Sequence, residues 1–277
     1  MKENKFTKLL KKPKNKQILF TLIILLLCLV LLFLIYYIIN SNIKKYNLEK
    51  SYVSFAEKNK DTTFSINKIV FFSSSDSKNK ASSKSNFTIE NLFAYTDIAL
   101  FIKNYPDEDT LENTLKEVKI SNIKFTKAPN VGEPKLYYKN LSDFASSNTS
   151  ENNIIQSDLN FSITSDDTAD LSTPTLYNNC ANPIVLSYVN ENIKTDYTIT
   201  DTSIPITYNG SLLNRCNVSL DTINASIAFD IYITNNKDEK FKSVVYFDIP
   251  YEDNGKSIVD GSLIVNKDTN FNFYRYE

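Results

Sequence analysis

Three acidic residues, Asp166, Asp167 and Asp170, lie close together in a polar stretch of the chain. Carboxylate oxygens are the ligands that Ca²⁺ prefers, so this stretch is a candidate cation-binding loop. Its spacing does not match an EF-hand loop, and a solvent-exposed acidic turn is the favoured interpretation. We therefore name these three residues as the cation-site candidate and expect no resident metal elsewhere.

The residue types that are missing exclude many enzyme classes. The chain contains no His and no Trp, and its four Gly are scattered along the sequence. Without His, the Ser-His-Asp and Cys-His catalytic arrangements and His-ligated zinc sites are excluded. The scattered Gly do not form a P-loop or a dinucleotide-binding fingerprint. We therefore predict no catalytic residue, no cofactor and no enzymatic activity.

Two of the three cysteines, Cys180 and Cys216, lie far from the apolar N-terminal segment. In an oxidising compartment such a pair predicts a disulfide, and closing a loop of about 35 residues would contribute roughly 3 to 4 kcal/mol in the chain-entropy model. Two buried free thiols are the alternative, because Cys packs like a small apolar residue. The sequence leaves both alternatives open.

Any such site must be positioned relative to residues 18–39, a run without charge that is dominated by Leu and Ile. A helix of this length spans about 33 Å, close to the roughly 30 Å hydrocarbon core of a bilayer. We therefore predict a transmembrane helix, which is too long for a cleavable signal peptide and has no small residue before Cys28 for lipidation. The lipid bilayer is its expected partner.

The charges that flank this segment predict its orientation. Residues 1–17 carry seven Lys and one Glu, whereas Lys44 and Lys45 are the only nearby charges after the segment. By the positive-inside rule, residues 1–17 form a cytoplasmic tail, and the residues from about 40 onward lie outside the cytoplasm. Residues 40–61 keep apolar residues at roughly helical spacing and predict a helical stalk. The expected localisation is the cell membrane, with single-pass, type II topology.

The remaining residues predict an acidic, all-β domain over residues 62–277. The tail contributes a net charge of +6 to a total of −1, which leaves −7 for the rest and argues against nucleic acid as a ligand. Alternating runs such as Ala225–Thr234 predict antiparallel strands. The Ser-rich stretch 73–85 predicts a loop, and Asn235–Glu239 predicts a hairpin turn. Runs at 257–265 and 271–276 predict two separate strands, and the run 204–208 predicts another.

Short strands joined by Asn, Asp and Ser turns are typical of an antiparallel β-sandwich or jelly roll. Two Ig-like modules would give the same pattern, with a subdivision near 146–153. The function predicted from these features is a binding, adhesive or structural role at the envelope of a bacterial cell, toward an unknown protein or surface polymer. The alternative is an accessory subunit of a secretion, pilus-like or sensing assembly whose transmembrane helix contacts partners.

Overall fold

The computed structural model describes residues 13–80, 86–106, 108–201 and 203–276. Most of the predicted tail, residues 1–17, therefore lies outside the described residues. The chain divides into two compact units, Met1–Lys58 and Asn59–Glu277. We call residues 59–277 the β domain.

The first unit is dominated by one α-helix, α1, Pro13–Lys58. Its section Phe20–Asn40 has a mean hydropathy of 3.3, and its side chains are exposed rather than buried in a protein core. Near its start, Thr21 Oγ1 donates to the Gln17 carbonyl at 2.9 Å, which satisfies this hydroxyl within the helix. This helix is long and apolar enough to cross a membrane. It also continues without a break to Lys58, whereas the stalk was expected over residues 40–61, and β1 begins at Lys60.

The β domain contains fourteen strands, several of them short, within the part of the chain that the structure describes. In chain order they are β1 Lys60–Ser77, β2 Phe87–Ile89, β3 Leu92–Asn104, β4 Leu115–Lys127, β5 Glu133–Tyr138, β6 Leu159–Thr164, β7 Thr175–Tyr177, β8 Ile184–Lys194, β9 Tyr197–Ile199, β10 Ser226–Asn235, β11 Lys240–Asp248, β12 Glu252–Asp253, β13 Lys256–Ser257 and β14 Leu263–Arg275. Two short helices, α2 Ser211–Arg215 and α3 Leu220–Ile223, precede β10.

Ten of these strands form one sheet, in the order β5-β8-β3-β1-β14-β11-β10-β4-β6-β7. The pairs are antiparallel except β6 with β7. Aromatic rings join strands from opposite parts of this order: the Phe125 and Tyr188 ring centroids are 5.9 Å apart, and those of Tyr138 and Phe161 are 6.2 Å apart. The sheet therefore curls so that its two halves face each other across one apolar core.

Alternating apolar residues explain how that core forms. In β10, Ile227, Phe229, Ile231 and Ile233 are buried, in agreement with the alternation seen in the sequence. Phe64 lies between Phe241 and Phe273 at centroid distances of 5.3 and 6.3 Å, which fixes β1 against its neighbours. The core is therefore shared by both halves of the curled sheet.

The structure establishes a mostly β domain with one large, curled, antiparallel-rich sheet. A sandwich, a jelly roll and two Ig-like modules stay predictions. Residues 146–153, where a subdivision was expected, lie within the single compact unit 59–277.

Three local predictions are wrong. Ser73–Ser77 belongs to β1 instead of a loop, because these serines pair with β3 and are buried. Residues 257–265 and 271–276 were expected as two strands, but β14 runs continuously from Leu263 to Arg275 because β1 pairs along it. The run 204–208 was expected as a strand and has no strand partner. The 235–239 hairpin is confirmed, with β10 and β11 paired on either side.

Candidate functional site: an open seam in the sheet

The sheet opens between β11 and β14. Their ladder consists of two pairs, Phe241 with Arg275 and Lys242 with Tyr274, although both strands continue beyond this point. Beyond the ladder, Val244–Asp248 and Lys267–Phe271 face one another without being paired among the described residues. We call the opening between these two segments the seam.

Two features of the flanking chain separate the strands. β14 contains a bulge opposite Ile66 and Lys68 of β1, and Thr269 Oγ1 donates to the Ile66 carbonyl at 2.8 Å, which holds β14 toward β1. On the other side, the Ile249 N–H donates to the Ala225 carbonyl at 2.9 Å, which holds the end of β11 toward β10. Along the seam, β14 is therefore bound more firmly to β1, and β11 more firmly to β10, than β11 and β14 are bound to each other.

The direction of the backbone groups on β11 follows from two hydrogen bonds. The Tyr276 N–H donates to the Lys240 carbonyl across the β11–β14 junction at 3.0 Å, so the even-numbered residues of β11 face β14. The bond from Ile249 to Ala225 shows that the odd-numbered residues face β10. The N–H and C=O groups of Val244, Tyr246 and Asp248 therefore point into the seam, where no ladder pair joins β11 to β14 among the described residues.

The seam leads into an apolar groove. Its cavity volume is about 370 Å³, and its lining includes Ile69 and Phe71 from β1, Phe247 from β11 and Phe271 from β14. Tyr246 lies at the mouth, with its ring centroid 5.5 Å from that of Phe271. Ile69 and Phe71 are almost completely buried and belong to the core, so the floor of the groove is the edge of that core.

One lysine and one aspartate supply the charge of the groove. Lys267 Nζ lies 5.6 Å from the centroid of the Phe71 ring, and no carboxylate pairs with it in the described part of the chain. Asp248 accepts a hydrogen bond from Ser226 Oγ at 2.5 Å. The groove therefore combines an apolar floor with a cation that has no carboxylate partner, an arrangement suited to binding rather than to proton transfer.

A second depression, of about 640 Å³, lies beside the ring of Tyr232. Lys119 and Lys242 flank this ring at 5.3 and 5.1 Å from its centroid. Both lysines are already paired: Lys119 lies 3.2 Å from Asp158, and Lys242 lies 2.7 Å from Asp230. Burial alone lowers the pKa of Lys242, but its hydrogen bonds to Asp230 and Tyr232 outweigh this and raise the pKa. Because these charges are satisfied within the domain, this surface is a weaker binding candidate.

The most deeply buried charges of the domain, Asp97 and Lys139, do not form an accessible site. Lys139 Nζ lies 2.8 and 2.7 Å from the two carboxylate oxygens of Asp97 and also donates to the Ser146 carbonyl at 2.6 Å. Ser187 Oγ and the Ala145 N–H also donate to Asp97, at 2.6 and 2.8 Å. Burial raises the pKa of Asp97 and lowers that of Lys139, and the ion pair opposes both shifts. These contacts fasten the 141–157 loop to the sheet.

Two aspartates of the acidic loop predicted from the sequence, Asp166 and Asp170, use carboxylate oxygens in hydrogen bonds within the loop. Asp166 Oδ1 accepts hydrogen bonds from the N–H and the hydroxyl of Thr168, which lower the pKa of the Asp166 carboxyl. Asp170 accepts equivalent bonds from Ser172, and the Asp167 carbonyl accepts one from the Tyr177 hydroxyl. Among the described residues, no group of three or more His, Cys, Asp or Glu side chains is placed to hold a metal ion. Cation binding by this loop stays a prediction.

Cys180 and Cys216 are free thiols in the structure, and both pack against the main core. Burial raises the pKa of the Cys216 thiol to about 11 and that of Cys180 to about 12. Protonated, buried thiols react slowly, so neither residue has the environment of a nucleophile. The disulfide stays a prediction, and mass analysis of the intact chain without reductant decides between the two alternatives.

Sequence reasoning assigned residues that line the seam to strands but proposed none of them as a functional site. A signal was present in the polar run Asn266–Asn270, which interrupts the strand pattern where β14 turns away from β11. That run was interpreted as a connection between two strands. Whether a strand edge has a partner depends on residues that are distant in the sequence. The local residue pattern therefore does not show it.

Comparisons with family models, with curated proteins and with solved structures gave no match for this chain.

Proposed function

We propose that this chain is a single-pass membrane protein whose β domain lies outside the cytoplasm and binds a partner at the cell envelope, without enzymatic activity. The observation that carries the proposal is the seam, an open groove with unpaired backbone edges and an apolar floor. The apolar α1 section and the Lys-rich residues before it support the membrane anchor and its orientation. The packing of the two sheet halves across one core supports a sandwich-like architecture for the domain.

The orientation is tested on intact cells that produce the full chain with an N-terminal tag. Protease added outside is expected to digest the β domain and to leave the tag intact. Digestion of the tag with survival of the β domain would show the opposite topology and would contradict the proposal.

Binding is tested in the same cells with a photo-activated cross-linking residue in place of Tyr246, at the mouth of the seam. The matched control has the same residue at Leu111, because the two side chains are similarly exposed, at 66% and 63%. We expect one identified envelope component to cross-link from position 246 and not from position 111. Purified, this component should bind the full chain in lipid nanodiscs, and Lys267→Glu should weaken the binding at least fivefold.

Equal cross-linking from both positions, or none from either, would contradict a binding role for the seam. The accessory-subunit alternative makes a different prediction, because there the helix itself contacts partners. Under that alternative, replacing residues 18–39 with a generic Leu/Ala span would abolish function, whereas Lys267→Glu would not.

A further inference from the structure

We propose that the seam binds an extended polypeptide segment of a partner protein as an added β-strand, paired with Val244–Asp248 of β11. This inference rests on the proposed binding function and specifies its ligand class. The segment has apolar side chains on the face that enters the groove and an acidic side chain near Lys267.

The first argument is the pattern of free backbone groups. Val244, Tyr246 and Asp248 present N–H donors and C=O acceptors to the seam at every second residue, a repeat of about 6.6 Å along the strand. Another extended backbone offers acceptors and donors with this same repeat. Main-chain pairing of this kind supplies affinity in strand-addition complexes, and side-chain pockets supply specificity.

The second argument is the way the other sheet edges are protected. The edge strand β5 contains Pro134 and Lys135, and the opposite edge, β7, has only three residues. Proline, lysine and short length are the devices by which proteins prevent unwanted strand pairing. The seam-facing segment of β11 is Val-Val-Tyr-Phe-Asp, without Pro or Lys. The seam-facing edge of β11 therefore lacks the features that prevent strand pairing at the outer edges, β5 and β7.

The third argument is the size and chemistry of the groove. One strand residue fills about 160 Å³, from a rise of about 3.3 Å, a strand spacing of about 4.8 Å and a layer thickness of about 10 Å. The 370 Å³ cavity therefore holds about two residues of an added strand, and the remainder lies along the exposed edge. The inward side chains would contact Ile69, Phe71 and Phe247, which favours apolar residues. Lys267, close to the Phe71 ring, favours a carboxylate nearby.

The test uses the full chain in lipid nanodiscs and a set of six-residue peptides with alternating Val and Thr, each with one Glu at a different position. Amide hydrogen exchange is followed residue by residue. In the free protein, we expect the Val244 and Tyr246 amides to exchange quickly and the Val245 and Phe247 amides, which bond β10, to exchange slowly. A bound peptide should slow exchange at Val244 and Tyr246 at least tenfold and leave Val245 and Phe247 unchanged.

Two matched controls distinguish strand pairing from non-specific peptide binding. The best peptide with its alternate backbone nitrogens methylated keeps its side chains but loses the donors of one edge, and we expect its affinity to fall at least tenfold. With Lys267→Glu, the Glu peptide should bind at least fivefold more weakly, whereas the corresponding Gln peptide should be affected less.

Binding of the methylated peptide with unchanged affinity, or failure of every peptide to protect Val244 and Tyr246 at millimolar concentration, would overturn strand addition. If these amides are already protected in a concentrated sample and become free on dilution, a second copy of the chain occupies the seam and a partner segment does not. A component that cross-links at position 246 but protects neither amide would leave the proposed function standing and overturn only strand addition.

Discussion

Asp97 and Lys139, 42 residues apart in the sequence, form a buried ion pair in which both side chains are almost completely removed from water. Asp97 lies on β3, and Lys139 follows β5, two strands separated in the sheet by β8. Ser187 on β8 and the 145–146 backbone complete the hydrogen bonding of both charges. The pair therefore joins three strands and the 141–157 loop. Beside it lies a small apolar cluster, separate from the main core, whose buried members are Tyr95, Tyr137 and Val189.

Removing one partner of this pair should destabilise the β domain strongly. Asp97→Asn keeps the shape of the side chain but leaves the buried Lys139 ammonium without the carboxylate to which it is hydrogen-bonded. Breaking a buried pair in this way costs about 3 to 5 kcal/mol. Denaturant unfolding of the full chain in detergent, followed by tyrosine fluorescence, measures the loss in the free energy of unfolding.

The matched control is Asp238→Asn, which removes the carboxylate of an exposed ion pair with Lys116. Exposed pairs contribute about 0 to 1 kcal/mol, so this variant should be close to wild type. The double variant Asp97→Leu/Lys139→Met replaces both charges by apolar groups and should be more stable than Asp97→Asn. A loss below about 1 kcal/mol for Asp97→Asn would show that water or another charge compensates Lys139.

The sequence predicts the local parts of this fold well and the long-range parts poorly. Alternation in β10 and the polar turn 235–239 are local signals, and both agree with the structure. Ser73 has the composition of a loop, yet its hydroxyl contacts Thr96 Oγ1 and the Pro250 carbonyl, both at 2.8 Å, which satisfies it inside a strand. Tertiary contacts therefore override the local preference at that position.

The two features with most consequence, the seam and the Asp97–Lys139 pair, depend on strand order. Asp97 and Lys139 come together because β3 and β5 both pair with β8. Nothing near Asp97 in the sequence indicates this contact. The seam likewise requires that β14 leave β11 after two residue pairs. A single sequence specifies such strand order only through the complete fold, which explains why residue patterns did not reveal either feature.

Stability should fall in alkaline solution because buried acids ionise more readily in the unfolded chain. Burial raises the pKa of Cys216 to about 11 from an ordinary value near 9, and that of Tyr95 to about 12 from near 10. Between pH 9 and 11 the folded state therefore holds a proton at Cys216 that the unfolded state has lost. The contribution of Cys216 is complete below pH 9 and is lost as the pH rises through the folded pKa.

Single-residue variants distinguish the ionisation of Cys216 and Tyr95 from other effects of alkaline pH on stability. Each such group contributes a slope of up to about 1.4 kcal/mol per pH unit, so Cys216→Ala should flatten the stability profile between pH 9 and 11. Tyr95→Phe should act between pH 10 and 12. Cys28→Ala, outside the β domain, is the control and should leave the profile unchanged. Parallel profiles for wild type and Cys216→Ala would show that the thiol is not buried as the structure has it.

Gly210 should not tolerate even one added methyl group. A Cβ at this position would lie 1.5 Å from the Ile258 carbonyl oxygen and 2.3 Å from that of Gly261, so α2 would have to move away from the 258–261 turn. Overpacking of this kind costs about 3 kcal/mol or more when backbone must shift. Thermal or denaturant unfolding of Gly210→Ala in the full chain measures this loss.

Gly255 provides the comparison for Gly210. At Gly255 a Cβ would meet no atom within 4 Å, but φ is +75°, a left-handed conformation that disfavours alanine. Gly255→Ala should therefore lose only about 1 to 2 kcal/mol, from backbone strain alone. Equal losses for the two variants would show that the close approach of α2 to the turn is not maintained.

Proline substitutions along β11 should show directly which side of the strand is unpaired. The Val244 N–H points into the seam, whereas the Val245 N–H faces β10, so proline removes a ladder hydrogen bond only at position 245. Alanine variants at both positions correct for the lost side chain, because Val245 is fully buried and Val244 only partly. We expect the difference in unfolding free energy between the proline and alanine variants to be at least about 2 kcal/mol larger at 245 than at 244. Similar differences at the two positions would mean that Val244 is hydrogen-bonded after all and that the seam is closed in solution.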